Sequence, residues 1–345
     1  MDRSQAIRAT NAIGLTKSEY GGSPSTLCKG CGHNSIANQI QQVAYDLALR
    51  PHEVLKLSGI GCSSKSPAYF LGMSHGFNSL HGRMPAVATG ALLGNHHLRG
   101  IGVSGDGDTG SIGFGQFKHM VRRNVRMVYL VENNGVYGLT KGQFSVTADE
   151  GQELKYAGLN DFPAVDLCLE AIGAGCGFVA RSFAGNAKQV RELLKAALAH
   201  RGTAFIDIIS PCVAFNNEDS SRKSYAYGRD HEQAIQEIGW VPQQDEIVIE
   251  PTEPGEVRVV PLHDGSRLRL QHLDEGYDPT DRRAAVDRLM RAEASGEFLT
   301  GLLYYDPARR GLAETLGLGE HTLAAMPDAR LRPPPEALAD MLQRF

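Results

Sequence analysis

Gly105-Asp106-Gly107-Asp108, followed by Asn133-Asn134, is the stretch whose reading decides the fold. Before the acids, Arg99 to Ser104 is apolar enough to predict a short buried strand. After them, Ile112, Phe117, Met120 and Val121 recur at helical spacing across Gly110 to Arg123. Val125 to Val131 (VRMVYLV) then predicts a second strand, with the asparagines at its C-terminal end. This strand–loop–helix–strand unit carries two carboxylates in its first loop and two amides after its second strand. In α/β sheets the carboxyl edge of the strands is where ligands bind.

The same alternation extends in both directions. Val54 to Leu57 predicts a strand, Asn34 to Leu49 and Ala86 to Leu93 predict helices, and Gly59-Ile60-Gly61-Cys62-Ser63-Ser64-Lys65 is a glycine-rich loop. Downstream, Val165 to Gly173 and Ala187 to Ala199 read as helices, with a strand between them near Cys176 to Val179. Thr203 to Ile209 is a further buried strand that delivers Ser210-Pro211-Cys212 to the same edge. Strands alternating with helices predict an α/β fold with a doubly wound parallel sheet. Residues 1–25 read as an N-terminal arm and 26–235 as the ligand-binding domain. Residues 236–345 read as a C-terminal α+β appendage, with a hairpin within Glu246 to Leu273 around Asp264-Gly265 and a charged helix at Asp281 to Ala294.

Composition removes several function classes. The 345 residues carry a net charge of -4, which argues against a nucleic-acid binder working by bulk electrostatics. No apolar run approaches the roughly 20 residues needed to span a bilayer. The N-terminus (MDRSQAIRATNAIG) has no apolar signal core, so a cytoplasmic protein is expected. Six cysteines are too few for a disulfide scaffold in a chain this long; in a reducing compartment they point to metal or catalysis.

Gly105-x-Gly107-x-x-Gly110 is formally a dinucleotide-binding pattern, and Glu132 falls where a ribose-binding acid would stand. Its variable positions are acids, however, and a bare carboxylate repels a pyrophosphate. A hard divalent cation between them resolves the conflict. Mg²⁺ takes oxygen ligands in octahedral geometry, usually one or two carboxylates plus substrate phosphates. Asp106, the side-chain oxygen of Asn134 and the carbonyl of Val136 can supply three. Gly-Asp-Gly with Asn-Asn 26 residues beyond its second glycine resembles the thiamin diphosphate (ThDP) motif, which implies Mg²⁺ held on that cofactor's diphosphate.

Cys28-Lys29-Gly30-Cys31 alone is compatible with a redox pair, half a zinc site or no function. Cys62 and Cys212 follow strands on the motif's edge, and one pair plus two singles can ligate a [4Fe–4S] cluster. Cys168 and Cys176 read as small core residues.

Taken in order, CxxCGH, Gly-Ile-Gly-Cys-Ser-Ser-Lys, His81-Gly82-Arg83, Gly-Asp-Gly-Asp, Asn-Asn-x-Val-Tyr-Gly-Leu-Thr-x-Gly-Gln and Ser-Pro-Cys resemble the β subunit of the 2-oxoacid:ferredoxin oxidoreductases over residues 20–230. That resemblance implies a ThDP-binding (PP-type) domain. It implies a [4Fe–4S] cluster on Cys28, Cys31, Cys62 and Cys212, and cofactor contacts from His33, Gly59, Ile60, Gly105, Asp106, Gly107, Asp108, Asn134, Gly138, Leu139 and Thr140. Lys65, His81 and Leu139 become the candidate catalytic positions bordering the substrate. Lys141 stands where many relatives have glycine. The implied reaction is reversible oxidative decarboxylation of a 2-oxoacid, 2-oxoglutarate rather than pyruvate, with coenzyme A taking the acyl group and ferredoxin the electrons. No second α/β domain is visible to supply the glutamate that activates ThDP. An α subunit in an αβ or (αβ)₂ enzyme is therefore expected to bring it, and this chain alone to be inactive. Two other readings stay open, a zinc-binding structural subunit and a non-redox ThDP decarboxylase or synthase.

Overall fold

A computed structural model describes residues 9–241, 257–272 and 277–344. In chain order the strands are β1 (Val54–Ser58), β2 (His75–Asn78), β3 (Arg99–Gly105), β4 (Met127–Asn133), the two-residue pairs β5 (Val136–Tyr137) with β6 (Gln143–Phe144) and β7 (Glu153–Leu154) with β8 (Gly158–Leu159), then β9 (Phe178–Phe183), β10 (Thr203–Ile209), β11 (Glu232–Ala234), β12 (Gln236–Val241), β13 (Val257–Pro261), β14 (Arg267–His272) and β15 (Phe298–Tyr305). The helices include α1 (Gly32–Asp46), α2 (Met84–Gly94), α3 (Phe114–Arg123), α4 (Leu167–Gly173), α5 (Ala187–Ala199), α6 (Tyr225–His231) and α7 (Arg282–Ser295), with short helices near the C-terminus, the last of them Pro335–Leu342.

Eight strands form one sheet in the order β11-β15-β9-β10-β4-β3-β1-β2. From β9 to β2 every pairing is parallel, and β15 runs antiparallel to β9. Alternate residues of each strand feed two cores. Val128 and Leu130 pack with Ile36, Ile40 and Leu193 of α1 and α5, whereas Tyr129 and Val131 pack with Met84, Phe117 and Leu289 of α2, α3 and α7. Helices on both faces make the sheet doubly wound, as the alternating pattern predicts. Gly100 and Gly102 let α2 come close, since a Cβ at Gly102 would stand 2.6 Å from Met127 Cε and 3.0 Å from Met84 Sδ.

Two expectations change. The helix read from Gly110 is broken: a wide turn over Asp108–Ile112 precedes α3, because Gly113 packs against Gly82, where a Cβ would lie 2.8 Å from the Gly82 Cα. Nor does a boundary near residue 235 divide the sheet. β15 (FLTGLLYY) is buried along its whole length and inserts between β9 and β11, covering what would otherwise be an apolar edge. Its mostly apolar sequence, without polar alternation, is the mark of a strand buried on both faces. The expected hairpin does form, β13 antiparallel to β14 around Asp264-Gly265, and joins β12 in a small sheet whose Ile238 and Val260 pack into the α1/α5 core. The outer parts of the Glu246 to Leu273 expectation, 246–256 and 273, lie outside the described residues, as do 1–8 of the arm. Among the described residues no helix is long and apolar enough to cross a membrane.

Candidate active site

The adjacent strands β10, β4, β3 and β1 deliver four loops to one edge: Ser210–Cys212, Asn133–Asn134, Gly105–Asp108 and Gly59–Ser64. A cavity of about 60 Å³ opens there, lined by His33, Ile60, Cys62 and His81, by Gly105 through Asp108, and by Asn134, Val136 and Gly138 through Thr140. Glu132 and Ile112 complete its wall. Gly59 lies just beneath, where an added Cβ would collide with the Asp108 carboxylate.

The two acids of the motif have different surroundings. Asp108 uses both oxygens within the protein: Gly82 N–H donates to Oδ1 at 2.8 Å and Ser104 Oγ to Oδ2 at 2.8 Å. It is the buckle that holds the His81-Gly82 loop, with neither oxygen left free. Asp106 concentrates its contacts on Oδ2, which accepts from Gly135 N (3.0 Å), Thr147 Oγ1 (2.7 Å) and Ser145 Oγ. Oδ1 has only a long contact to Asn134 N, at 3.4 Å. Gly135 makes this turn possible: its φ of 74° is left-handed, and a Cβ there would meet Lys223 Cδ at 2.9 Å. Asn134 places its side chain between Val136 N (3.1 Å) and His33 Nε2 (3.5 Å). Asp106, Asn134 and Val136 thus meet in one wall, a donor set suited to a hard cation on a diphosphate.

The dinucleotide reading fails on Glu132. That carboxyl is fully buried, accepts from Ser66 Oγ at 2.9 Å and lies 3.4 Å from His33 Nδ1, so its oxygens are engaged within the protein. Burial pushes the Glu132 acid well above the ordinary carboxylate range and the His33 imidazole down to about 3. Burial disfavours the charged form of both groups, so their 3.4 Å contact is not that of an ion pair. Ser210 Oγ, 2.6 Å from His33 Nδ1, fixes the ring from the β10 side.

The cysteines converge from three loops. Gly32 packs so tightly on Ser210 that a Cβ would lie 3.0 Å from its Cα, and a Cβ at Gly30 would be 3.7 Å from Val213. The Cys28–Cys31 loop is thereby laid on the loop carrying Cys212. A Cβ at Gly138 would stand 3.6 Å from Cys62 Sγ and 3.7 Å from Cys212 Sγ. Burial raises the Cys31 thiol to about 12 and also raises Cys62. Reactive nucleophilic or redox cysteines need the opposite shift. Among the described residues no three His, Cys, Asp or Glu side chains stand close enough to share one metal ion. Cys168 and Cys176 are buried core residues, as expected.

Not every predicted position lines the cavity. Lys65 does not; it follows Cys62 in a short helical turn, where its charge bears on that thiol. His81 and Leu139 stand at the mouth, Leu139 half exposed. Lys141 adopts a left-handed φ of 81°, which explains why glycine suits that position. Sequence reasoning missed Ser145 and Thr147. Both come from the long loop after Asn134, whose length was the available signal.

Behind Asp106 runs a buried chain of polar groups. The single hydroxyl proton of Thr147 is shared between Asp106 Oδ2 and Asn133 Oδ1, 2.8 Å away. Asn133 Nδ2 donates to Asp207 at 3.0 Å, and Arg181 bridges Asp207 (3.2 Å) and Asp166 (2.7 Å). Burial alone would raise Asp166, but Arg181 and the first amides of α4 outweigh it and hold that acid below its ordinary value. Burial prevails at Asp207, which is raised. Arg181→Met strands both carboxyls and is expected to cost about 3–5 kcal/mol. Chemical denaturation of the purified chain measures this, and an unchanged midpoint would show that the network contributes nothing.

A family model described as "Thiamine pyrophosphate enzyme, C-terminal TPP binding domain" matches residues 59–208. The chain is 40% identical over 232 residues to a 2-oxoacid:ferredoxin oxidoreductase subunit beta of Sulfolobus sp., covering 66% of this chain and 73% of that one. It belongs to that family of β subunits. The β-subunit family also includes relatives with a narrower name. A 2-oxoglutarate oxidoreductase subunit KorB of Mycobacterium tuberculosis is 41% identical over 206 residues, 59% of this chain and 54% of that protein. A chain of the 2-oxoglutarate:ferredoxin oxidoreductase from Magnetococcus marinus, solved with 2-oxoglutarate, coenzyme A and succinyl-CoA bound, superimposes with a TM-score of 0.72 at 28% identity, covering 95% of this chain and 96% of that one. Membership in a β-subunit family implies an α-subunit partner. It also makes the chain part of an oxidoreductase with a TPP-binding domain.

Proposed function

We propose that this chain is the half of a coenzyme A-dependent 2-oxoglutarate:ferredoxin oxidoreductase that carries ThDP, Mg²⁺ and a [4Fe–4S] cluster. One observation carries the proposal: four adjacent parallel strands bring a diphosphate-and-cation donor set together with Cys62 and Cys212 to a single edge, and the tight packing of Gly32 on Ser210 lays the Cys28–Cys31 loop beside them. Asp106, Asn134 and the Val136 carbonyl would hold Mg²⁺. Cys28, Cys31, Cys62 and Cys212 would hold the cluster. Gly105 and Gly107 keep the diphosphate wall open, since a Cβ at Gly107 would run into the Tyr137 ring. His33, kept neutral by burial, presents Nε2 beside Asn134 and can serve a phosphate oxygen as donor or acceptor. Ile60 and Leu139 provide an apolar border that excludes water. Gly59, Gly138 and Thr140 shape the pocket, and Asp108 supports it from beneath by holding the His81 loop. His81, with Lys65 two residues beyond the lining Ser63, is placed in this reading near the substrate's carboxylates. When bound, ThDP supplies the electron sink for decarboxylation and the cluster accepts electrons singly.

A partner completes this half-site. A cavity of about 60 Å³ is far below the roughly 300 Å³ of a typical small-ligand pocket. Its mouth is ringed by exposed apolar side chains, Leu80, Ile112 and Leu139. The α subunit would cover them, bring the glutamate that activates ThDP, and assemble as (αβ)₂. Names among the relatives that specify 2-oxoglutarate favour that substrate over pyruvate. The test is co-purification with the α subunit under anaerobic conditions, then dye reduction with a panel of 2-oxoacids. Brown protein that reduces the dye with 2-oxoglutarate only when coenzyme A is present is expected. Reduction with pyruvate alone would overturn the substrate, and colourless protein inactive with every 2-oxoacid would overturn the reading itself.

A further inference from the structure

At the opposite end of the sheet the loops after α2, α3 and α5 form a second cavity, of about 370 Å³. It lies roughly 20 Å from the active-site edge, the length of seven-residue β3. Arg126 and Arg201 line it with His96 and His97, and Arg99 stands close enough to act on Arg126. Its apolar wall is Leu92, Leu98, Val125 and Leu312. The far side is closed by the segment after Pro307, pinned by Leu312 N donating to Asn124 O (3.0 Å) and Asn124 Nδ2 donating to Arg310 O (2.9 Å).

The three arginines have no carboxylate within ion-pair distance among the described residues. Arg201 spends one N–H on the His263 carbonyl at 2.9 Å; Arg99 and Arg126 have no side-chain hydrogen bond among the described residues. Arg126 is open to solvent on one side, yet crowding by protein on the other and repulsion from Arg99 and Arg201 hold its guanidinium below the ordinary arginine value. Part of the gathering has a structural cause, because the C-terminal ends of three helices point here. Each contributes roughly half a negative charge, about 1.5 in all against three cations, so a positive excess remains. Glu314, also in the lining, is answered by Arg310 at 3.6 Å.

We infer that this cavity binds a nucleoside polyphosphate. Paired guanidiniums match phosphate oxygens bidentately. The leucine wall and the edge-to-face pair His96–His97, ring centres 4.7 Å apart, offer a flat base an apolar surface. The volume falls within the range of small-ligand pockets. The site shares no residue with the catalytic edge, so the inference does not depend on the reaction proposed above.

The test uses the assembled enzyme saturated with ThDP and Mg²⁺, which blocks diphosphate binding at the catalytic edge, without coenzyme A, whose own adenosine diphosphate moiety could compete. Titration with a fluorescent ribose-labelled ADP is expected to give saturable binding that inorganic triphosphate displaces. In Arg126→Gln/Arg201→Gln that binding should weaken by about tenfold or more, with dye-reduction activity unchanged. His96→Ala/His97→Ala should weaken the labelled ADP but leave triphosphate binding intact. No saturable binding to the wild type, or equal affinity in the arginine variant, overturns the inference. So does an arginine variant that changes only the KM for ferredoxin, which would make the patch a protein-docking surface.

Discussion

Cys212→Ser and Cys62→Ser are each expected to abolish the brown absorbance of the anaerobically purified enzyme and to lower 2-oxoacid-dependent dye reduction at least about 100-fold. Loss of an outer-shell partner alone costs about 10- to 100-fold, and these residues would be the ligands themselves. Both sulfurs converge on Gly138, where an added Cβ would make only ordinary contact with them, so Gly138→Ala should keep the colour. The fold should survive. Cys212 lies in a turn held by backbone bonds, Asn216 N and Phe215 N donating to its carbonyl at 2.9 and 3.2 Å, and those do not involve the thiol. Cys168→Ser is the control. Its sulfur is buried on α4, 3.7 Å from the Ala180 carbonyl of β9, and lines no part of the cavity. It should change stability and leave the colour alone. Stoichiometric iron and full colour in the Cys212 and Cys62 variants would remove those residues from the ligand set. Zinc in place of iron in the wild type would replace the cluster by the structural reading.

Much of this was legible because the decisive signals are local. α5 and β10 begin and end where their periodicity says, and the Gly-Asp-Gly and Asn-Asn pairs stand at the ends of β3 and β4 because loops of parallel strands carry their residues to one edge. What was not legible depends on contacts distant in sequence. Nothing near Asp108 says that Gly82 and Ser104 consume its carboxylate, so it read as a cofactor contact beside the cation ligand Asp106 and not as the buckle of the His81 loop. Ser145 and Thr147 read as ordinary polar loop residues until the loop folds back onto Asp106. Glu132 ends a strand just as a ribose-binding acid would; the acids of the loop argue against that role, and the packing of Ser66 and His33 against Glu132 shows what it does instead. β15 was lost for another reason: it follows a charged helix late in the chain, and its mostly apolar FLTGLLYY lacks the alternation by which exposed strands are recognised.

The difference between the two acids gives the other large expected effect. Asp106→Asn should lower the Mg²⁺-dependent affinity for ThDP at least about 100-fold, because it removes the one carboxylate with an oxygen to spare. It also sets an amide against the donors Gly135 N and Thr147 Oγ1 (and Ser145 Oγ), so about 1–3 kcal/mol of stability should be lost even without cofactor. Asp108→Asn should act differently. It loosens the contacts to Gly82 and Ser104, lowers stability by a similar amount and disorders the His81 loop, yet leaves most of the Mg²⁺ dependence intact. Thermal unfolding across a ThDP titration, with and without Mg²⁺, separates the two. Ligand at about 100 times its Kd adds about 2.7 kcal/mol to whatever binds it, so a shift in the Asp108 variant and none in the Asp106 variant is the expected pattern. The reverse pattern would move the cation to Asp108. Equal loss in both would mean that the acids hold it together, with the Ser104 and Gly82 contacts giving way when the metal enters.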